Sequence, residues 1–509
     1  MKTSIGCYRN GLLAGLFALA QASFGATRYD QNLEKSFAAT PGGKLVIDAD
    51  MGSIEVRTDG NDKVQVSVFR QVNGRSKADA DALFADHEVN FDQQGGTISV
   101  IAKNKKRKLW SIGNRYGLEV RYEVRLPNRY DVELRTSGGN IQVGDLDGYA
   151  EARTSSGSIK LGRITGRIEA IDSGGNIAVE QAGNDLVART SSGTISVVKG
   201  RGKIEASNSG GNIRIEEAGS DVAVKTSSGT INLGSVGGAV EASNSGGNIH
   251  IDSAGGNVTA HTSSGSIQIG TAKGKALDAK NSGGGIEIGA ANGNVTAATS
   301  SGNIKIKTAG GDLDLKNSGG NVEIGDSGGN VFSETSSGHI RIKRAQGNVD
   351  LRNSGGSIAV EEVGGDSSLR TSSGSISVDL AKGKVEARNS GGSITVNDAR
   401  DLVQAETSSG GITVNFTAAP KAGCRLQVSG GGVTVGLPNS AGFNLDAHSS
   451  GGKIVTETPI AVSVQGEQKH GVLQGKINGG GPTLLLRSSS GDIRLRGSGL
   501  APGEKPSGG

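Results

Sequence analysis

The sequence is poor in the residues that mark disulfide-rich, aromatic-cored or membrane-spanning domains. Its 509 residues include 2 cysteines and 8 prolines, and aromatic residues make up 3%. Cys7 lies in an N-terminal segment that we expect to be removed as a signal peptide (residues 1–26). Cys424 would then be the single cysteine of the mature chain, so no internal disulfide is expected. No segment approaches about 18 consecutive apolar residues, which argues against a membrane-spanning helix.

The chain also lacks an excess of charge of one sign. It carries 54 basic and 50 acidic residues, a formal net charge of +4. Proteins that bind nucleic acid usually present a strongly basic face, so this balance argues against a nucleic-acid partner.

The N-terminus has the three parts of a secretory signal peptide. Lys2 and Arg9 precede an apolar run over residues 11–20, and Ala20-Gln21-Ala22 fits a small-residue cleavage site. We predict that residues 1–26 are a signal peptide. The mature protein is then expected in the periplasm, at the cell surface or outside the cell.

Glycine is abundant, with 85 residues, and it belongs to a long internal repeat. From residue 136 the phrases Thr-Ser-Ser-Gly and Asn-Ser-Gly-Gly alternate, and each is followed within two residues by an aliphatic residue. The step is about 18 residues, and a single step, near Gly285, is longer by one. The series comprises Ile141, Ile159, Ile177, Ile195, Ile213, Ile231, Ile249, Ile267, Ile286, Ile304, Val322, Ile340, Ile358, Ile376, Ile394 and Ile412.

Each unit contains two short apolar-polar-apolar segments, which is the pattern of strands with one buried face. Glycine, Ser, Asn and Thr separate them, as expected for turns that need positive φ or local side-chain hydrogen bonds. Such units are stable only when stacked, so we predict an all-β fold: a long single-chain β-solenoid.

Two alternating phrases leave open whether a coil contains one unit, of about 18 residues, or two units, of about 36 residues. Lys199 and Lys203 lie one unit before Glu217 and Asp221. Coils of one unit stack opposite charges, whereas coils of two units would stack like charges, so we favour about 18 residues per coil.

The flanks of the repeat differ from its centre. Residues 27–135 contain ordinary alternating strands and one short helix at Lys77–His87 after Ser76 as N-cap, which predicts a β-rich N-terminal cap. We therefore divide the chain into a signal peptide (1–26), the N-terminal cap (27–135), the regular solenoid (136–412), irregular C-terminal coils (413–496, with longer steps to Val433 and Ile454) and a disordered tail (497–509).

The flanks and the repeat together resemble the bacterial putative adhesin family, a domain of unknown function. The resemblance rests on Lys44–Val56, on Val124–Pro127 leading to Leu134–Ile141, and on Gly475–Pro482 followed by Ser489–Ile493. It covers nearly the whole mature chain and implies a surface or periplasmic β-solenoid. It implies no catalytic residues.

The six histidines form no metal-ligand motif, and the sequence contains neither a phosphate-binding loop nor the repeat of a calcium-binding β-roll. We predict no catalytic, cofactor or metal site; a metal held by His250 and His261 in an oligomer is the disfavoured alternative. The candidate contact with an anionic surface is a basic run next to Trp110, for which a solvated hairpin loop is the alternative: Lys103, Lys105, Lys106, Arg107 and Lys108.

We therefore predict a non-enzymatic exported repeat scaffold, adhesin-like or envelope-associated, that binds through extended surfaces. Candidate partners are envelope polysaccharide, lipid head groups or surface proteins, and the oligomeric state is left open. The alternatives are a carbohydrate-active β-helix enzyme, which would need acidic and basic groups converging in one cleft, and a periplasmic component of an envelope-stress system.

Overall fold

The computed structural model describes residues 27–74, 76–105, 117–457, 462–464 and 470–497. The predicted signal peptide and nearly all of the predicted tail lie outside them. The structure is a β-solenoid with one strand of each coil in each of two sheets, here called sheet I and sheet II.

The N-terminal segment supplies the first strands of both sheets and the one helix of the described residues. Strands β3 and β7 belong to sheet I with the edge strands β4 and β1, and β2, β6 and β8 belong to sheet II with β5. The elements are β1 (Thr27–Ala38), β2 (Gly43–Ala49), β3 (Ser53–Asp59), β4 (Lys63–Gly74), α1 (Lys77–Asp86), β5 (His87–Gln94), β6 (Thr97–Asn104), β7 (Leu118–Pro127) and β8 (Tyr130–Thr136).

The regular array follows, with odd-numbered strands in sheet I and even-numbered strands in sheet II. Its strands are β9 (Ile141–Val143), β10 (Ala150–Thr154), β11 (Ile159–Ile164), β12 (Ile168–Asp172), β13 (Ile177–Ala182), β14 (Leu186–Thr190), β15 (Ile195–Gly200), β16 (Ile204–Asn208), β17 (Ile213–Ala218), β18 (Val222–Thr226), β19 (Ile231–Val236), β20 (Val240–Asn244), β21 (Ile249–Ala254), β22 (Val258–His261), β23 (Ile267–Ala272), β24 (Ala276–Lys280), β25 (Ile286–Ala291), β26 (Asn294–Thr299), β27 (Ile304–Ala309), β28 (Leu313–Asn317), β29 (Val322–Ser327), β30 (Val331–Thr335), β31 (Ile340–Ala345), β32 (Val349–Asn353), β33 (Ile358–Val363), β34 (Ser367–Thr371), β35 (Ile376–Ala381), β36 (Val385–Asn389), β37 (Ile394–Ala399), β38 (Val403–Thr407) and β39 (Ile412–Phe416).

The strand register confirms coils of about 18 residues. Ile159 pairs with Ile177 and Ile177 with Ile195 in parallel strands, so the repeat isoleucines form one continuous buried column. Lys199 lies beside Glu217 and forms an ion pair of 2.7 Å, as the charge argument predicted. Lys203 differs, because it pairs with Glu205 in its own coil rather than with Asp221.

The extra residue of the single longer step lies earlier in the chain than the sequence suggested. Val258 already pairs with Leu277 rather than with Ala276, so the extra residue precedes β24 and does not lie near Gly285. A turn tolerates an added residue more easily than a strand, where one extra residue would reverse the direction of every following side chain.

A buried column of alternating Thr and Asn explains the two alternating phrases. At the end of most sheet II strands of the array a Thr or Asn side chain donates a hydrogen bond to the carbonyl of a glycine in the preceding coil, as in Thr226 to Gly211 (3.0 Å) and Asn244 to Gly229 (2.6 Å). Asn244 also accepts hydrogen bonds from the backbone N–H of both following glycines. These bonds satisfy polar groups that would otherwise be buried without partners.

Many glycines of the array, such as Gly211, are required by space rather than by positive φ. Between residues 140 and 457, no described glycine has a positive φ, so that part of the prediction is wrong for the array. A Cβ on Gly211 would lie under 3.0 Å from the carbonyl oxygen and carbon of Gly193 in the coil beneath. Glycine therefore lets successive turns stack at strand spacing.

Asp172 occupies a place in this column that Asn or Thr fills in the neighbouring coils. It is 3% exposed and accepts hydrogen bonds from the backbone N–H of Gly174 and Gly175, but an ionised carboxylate cannot donate to a carbonyl. We expect Asp172→Asn to raise the free energy of unfolding by about 1 kcal/mol, since the amide regains the missing donor. The reciprocal Asn208→Asp should lower it, and urea denaturation of both variants gives the comparison; a destabilised Asp172→Asn would contradict this account.

The C-terminal strands do not continue the stack in sequence order. The longer steps of the sequence fall at Val433 and Ile454, and both residues pair with Ile493, which lies between them. In the same way β46 (Thr483–Ser488) lies between β40 (Cys424–Val428) and β42 (Phe443–Ser449). The last coil of the chain therefore lies between the two coils that precede it in sequence, not at the end of the stack. The strands are β40 (Cys424–Val428), β41 (Val433–Leu437), β42 (Phe443–Ser449), β43 (Ile454–Thr456), β44 (Val462–Val464), β45 (Val472–Ile477), β46 (Thr483–Ser488) and β47 (Ile493–Gly497).

The N-terminal end is interleaved in a similar way. β2 lies between β6 and β8, and β3 lies between β7 and β9, all in parallel pairs. Antiparallel strands then cover both ends: β5, β4 and β1 at one, β45 and β44 at the other. A change from parallel to antiparallel pairing ends the stack, which limits edge-to-edge association.

The helix confirms the prediction for this segment. It spans Lys77–Asp86, and the Ser76 side chain accepts a hydrogen bond of 3.2 Å from the backbone N–H of Asp79. Behind it lies a buried polar cluster, in which Arg70 donates to the backbone carbonyls of Phe84 (2.8 Å) and His87 (2.7 Å).

His87 makes the N-terminal cap sensitive to acid. It is 1% exposed, and its Nδ1 has no hydrogen-bond partner. Burial and the nearby Arg70 guanidinium lower the pKa of His87 to about 4 from the ordinary 6.5. Between pH 6.5 and 4 the unfolded chain therefore binds a proton that the folded chain does not, and stability falls as the pH falls through this window.

We expect His87→Gln to reduce this loss. The melting temperature of the wild type should fall more steeply between pH 7 and pH 4.5 than that of the variant, with His250→Gln on the exposed array surface as control. Parallel slopes for the wild type and His87→Gln would show that His87 is not the titrating group.

Candidate functional site

The outward face of sheet II carries two columns of charge that run along the solenoid. Side chains alternate between the core and solvent along each strand, so every coil adds two outward positions. The first position forms an acidic column: Glu133, Glu151, Glu169, Glu205, Glu241, Asp278, Asp314, Asp350 and Glu386.

A basic column lies two residues further along the same strands. It comprises Arg135, Arg153, Arg189, Lys225, His261, Lys280, Lys316, Arg352, Arg370 and Arg388, and Glu334 is an acidic exception between Lys316 and Arg352. From Glu169 onwards the acidic residues recur in every second coil, with small or uncharged residues between them. Like charges in that column are therefore about 10 Å apart, which limits their repulsion.

Ion pairs join the two columns. Asp350 and Arg352 lie 2.8 Å apart in one coil, and Arg153 reaches Glu169 of the next coil at 2.5 Å. Glu151 is the most enclosed carboxylate of the face. Although its burial acts in the opposite direction, hydrogen bonds from Arg153, Arg135 and Tyr149 lower the pKa of Glu151 to about 2. Several single coils carry only one charge, as at Glu205 with Ser207 and at Ala223 with Lys225, so the two signs balance over successive coils rather than within each coil.

One outward position of sheet II is aromatic. Phe332 stands in the acidic column between Asp314 and Asp350 and faces a groove of about 410 Å³ on the outer surface. The Arg352 guanidinium lies 5.3 Å from the centre of its ring. Sequence reasoning missed this groove, and the only available signal was an aromatic residue at a position that the other coils of the array fill with charged or polar residues, alanine or, at Val187, valine.

The basic run predicted to contact anionic surfaces is only partly described. Lys103 pairs with Asp48 (2.7 Å) and Asp50 (3.2 Å), and Lys105 lies 3.4 Å from Glu88. Lys106, Arg107 and Lys108 lie outside the described residues. The two described lysines thus have carboxylate partners, and the contact with an anionic surface stays a prediction.

The other candidate groups lie apart from one another. His250 contacts Asp252 at 2.7 Å and His261 lies 3.4 Å from Asp278. Within the described ranges, no three His, Cys, Asp or Glu side chains are grouped so that they could hold a metal ion. Cys424 is buried, and burial raises the pKa of its thiol to about 11, so it packs as an apolar residue rather than as a nucleophile.

Comparison with known proteins agrees with this architecture. The profile of the Toastrack DUF4097 family matches residues 43–307 and 307–496. The chain belongs to the Toastrack DUF4097 family. The two matched segments meet at residue 307, so the family profile fits this Toastrack chain twice in succession. No curated protein matches the chain.

The solved structures that match the chain include proteins described as adhesins. A putative cell adhesion protein from Clostridium sporogenes is 8% identical, covering 92% of this chain and 99% of its own, with a TM-score of 0.14. A putative adhesin from Bacteroides fragilis is 10% identical, covering 68% and 97%, with a TM-score of 0.17. A putative lipid binding protein from Parabacteroides distasonis is 13% identical, covering 59% and 96%, with a TM-score of 0.21.

The family match and the strand pairing establish a β-solenoid of the Toastrack DUF4097 family. In the part of the chain that is described, no helix is long and apolar enough to cross a membrane.

Proposed function

We propose that the protein is an exported, non-enzymatic scaffold that binds cell-envelope or cell-surface polymers through the outward face of sheet II. The observation that carries this proposal is the paired acidic and basic columns, which present similar chemistry from Glu133 to Arg388 along one face. Many similar weak contacts on one rigid element give strong overall attachment when the partner is itself a repeating polymer.

The location is part of the proposal. The charged and apolar segments of residues 1–26 support export by a signal peptide, and the chain would then meet periplasmic or surface polymers. In that location the repeated face could bind an envelope polymer directly, and this binding needs no catalytic group.

The basic run is proposed to add contact with an anionic surface. Because Lys103 and Lys105 have carboxylate partners, Lys106, Arg107 and Lys108 would supply most of this attraction, at about 1 kcal/mol for each charge near the surface. Vesicles with and without anionic lipid, at low and high salt, would measure it with these three residues changed to glutamine.

The main test shortens the array and leaves both ends intact. Deleting residues 195–266 removes four coils and joins Thr194 to Ile267, as Ser266 is joined to Ile267 in the native chain. We expect this variant to fold, as judged by circular dichroism, and to bind isolated envelope fractions more weakly than the intact mature chain because fewer contacts act together.

Two charge variants identify the face. Lys316→Gln with Arg352→Gln changes the basic column of sheet II, and Lys305→Gln with Lys307→Gln changes the outward face of sheet I as a matched control. Envelope binding that survives the four-coil deletion and the sheet II changes undiminished would refute the proposal.

A further inference from the structure

The groove beside Phe332 is elongated. Its lining residues come from four successive coils at β30, β32, β34 and β36, so it runs parallel to the solenoid axis for about 14 Å. One side is formed by outward strand residues and the other by the turn that precedes each strand. The residues that matter for the argument are Asn330, Phe332, Asn348, Asp350, Ser368 and Glu386.

Phe332 offers one apolar surface to this groove. Arg352 lies close to the ring but does not line the groove, so it supports the phenyl ring from outside the site. Arg352 is itself fixed by its 2.8 Å bond to Asp350. These contacts restrict the ring, which reduces the entropy lost when a ligand packs against it.

Two amide groups on the opposite side have free donors. The side-chain oxygen of Asn330 accepts a hydrogen bond of 2.9 Å from the backbone N–H of Asn348, and the oxygen of Asn348 accepts one of 2.8 Å from Asp366. The oxygens are used in this way, and among the described residues no acceptor is found for the amide nitrogens, so their N–H groups can donate to a ligand.

Three carboxylates and one lysine line the groove: Asp350, Asp366, Glu386 and Lys384. Asp366 accepts a hydrogen bond of 2.9 Å from the backbone N–H of Lys384, and the other two carboxylates form ion pairs. Asp350 pairs with Arg352, and Glu386 pairs with Arg388 at 2.6 Å and with Lys384 at 3.6 Å. The carboxylates keep unused lone pairs that can accept hydrogen bonds. A groove of this kind does not select a strongly charged polymer, but it suits a neutral ligand with many hydroxyl groups.

We propose that this groove binds pyranose rings of a neutral polysaccharide. The apolar C–H face of one ring would pack against Phe332, while its hydroxyls donate to Asp350 or Glu386 and accept from Asn330 or Asn348. The polysaccharide chain would lie along the solenoid axis, because the groove does. This inference rests on the proposed function and names the polymer class that one segment of the face recognises.

The test measures affinity of the mature protein for dextran, mannan and galactan by affinity electrophoresis. We expect the wild type to be retarded by at least one of them, and Phe332→Ala to weaken binding about tenfold. Phe332→Tyr keeps an aromatic ring and should restore most of the binding. Thr296→Ala, in the same column two coils earlier, is the matched control and should leave binding unchanged.

The outcomes separate this inference from the proposed function. If none of the three polysaccharides binds, or if Phe332→Ala binds like the wild type, the inference is overturned. The four-coil deletion leaves the groove intact, so it tests the proposed function independently. A protein that binds envelope fractions but shows no effect of Phe332→Ala would refute the saccharide site alone.

Discussion

Replacing Gly211 with alanine should lower the free energy of unfolding by about 3 kcal/mol, because the added methyl group has no space. The Cβ would lie under 3.0 Å from backbone atoms of Gly193 in the preceding coil, and backbone cannot move aside without separating the two coils. Strand spacing is fixed by the hydrogen bonds of both sheets, so relief at one turn weakens the pairing on either side of it.

The neighbouring Gly210 provides a matched control in the same turn. A Cβ there would meet the carbonyl oxygen of Ser191 at 3.4 Å, an ordinary contact distance. Gly210→Ala should therefore change stability by less than about 1 kcal/mol, or raise it slightly by restricting the unfolded chain. Thermal and urea denaturation of the two variants would decide the matter, and equal effects would mean that the glycine column is not set by space.

Truncating the chain after Pro482 should have the largest effect at the C-terminal end. It removes β46 and β47, which lie between β40 and β42 and between β41 and β43. The lost core residues are Leu484, Leu486, Ile493 and Leu495, whose burial stabilises the fold by about 6–12 kcal/mol.

The reason for so large an effect is that the removed coil is internal to the stack. Without it β42 and β43 lose their parallel partners, and β40 and β41 become an open end. We expect rapid hydrogen exchange and proteolysis over residues 424–477, while the N-terminal coils stay protected. Truncation after Gly497 is the control and should change neither; the prediction fails if truncation after Pro482 leaves β42 as protected as in the intact chain.

The array could be predicted from the sequence because its order is local and periodic. A large aliphatic residue at the same place in every unit, and alternation within each strand, fix which side chains face the core. The register of Ile159, Ile177 and Ile195 follows from them. Ser76 likewise identified the start of the helix, since N-cap chemistry depends on residues three positions apart.

The ends could not be predicted in this way. Ile493 pairs with Val433, which lies far earlier in the chain, and such a return leaves no period in the sequence. The resemblance of the closing segment indicated that it belongs to the fold but not where it enters the stack. The groove at Phe332 was also hidden, because it requires the register of four coils to show which residues share one face.

The alternation of Thr and Asn has a consequence for how such chains can lengthen. Between Asp172 and Thr407, adding or removing one coil would place two identical turn residues in contact and disturb the acidic column, whereas a change of two coils restores both patterns. Since the interleaved ends contact only nearby coils, we expect this stretch to lengthen or shorten most easily by two coils at a time. Each change of two coils would alter the length of the solenoid by about 10 Å and leave both ends of the fold unchanged.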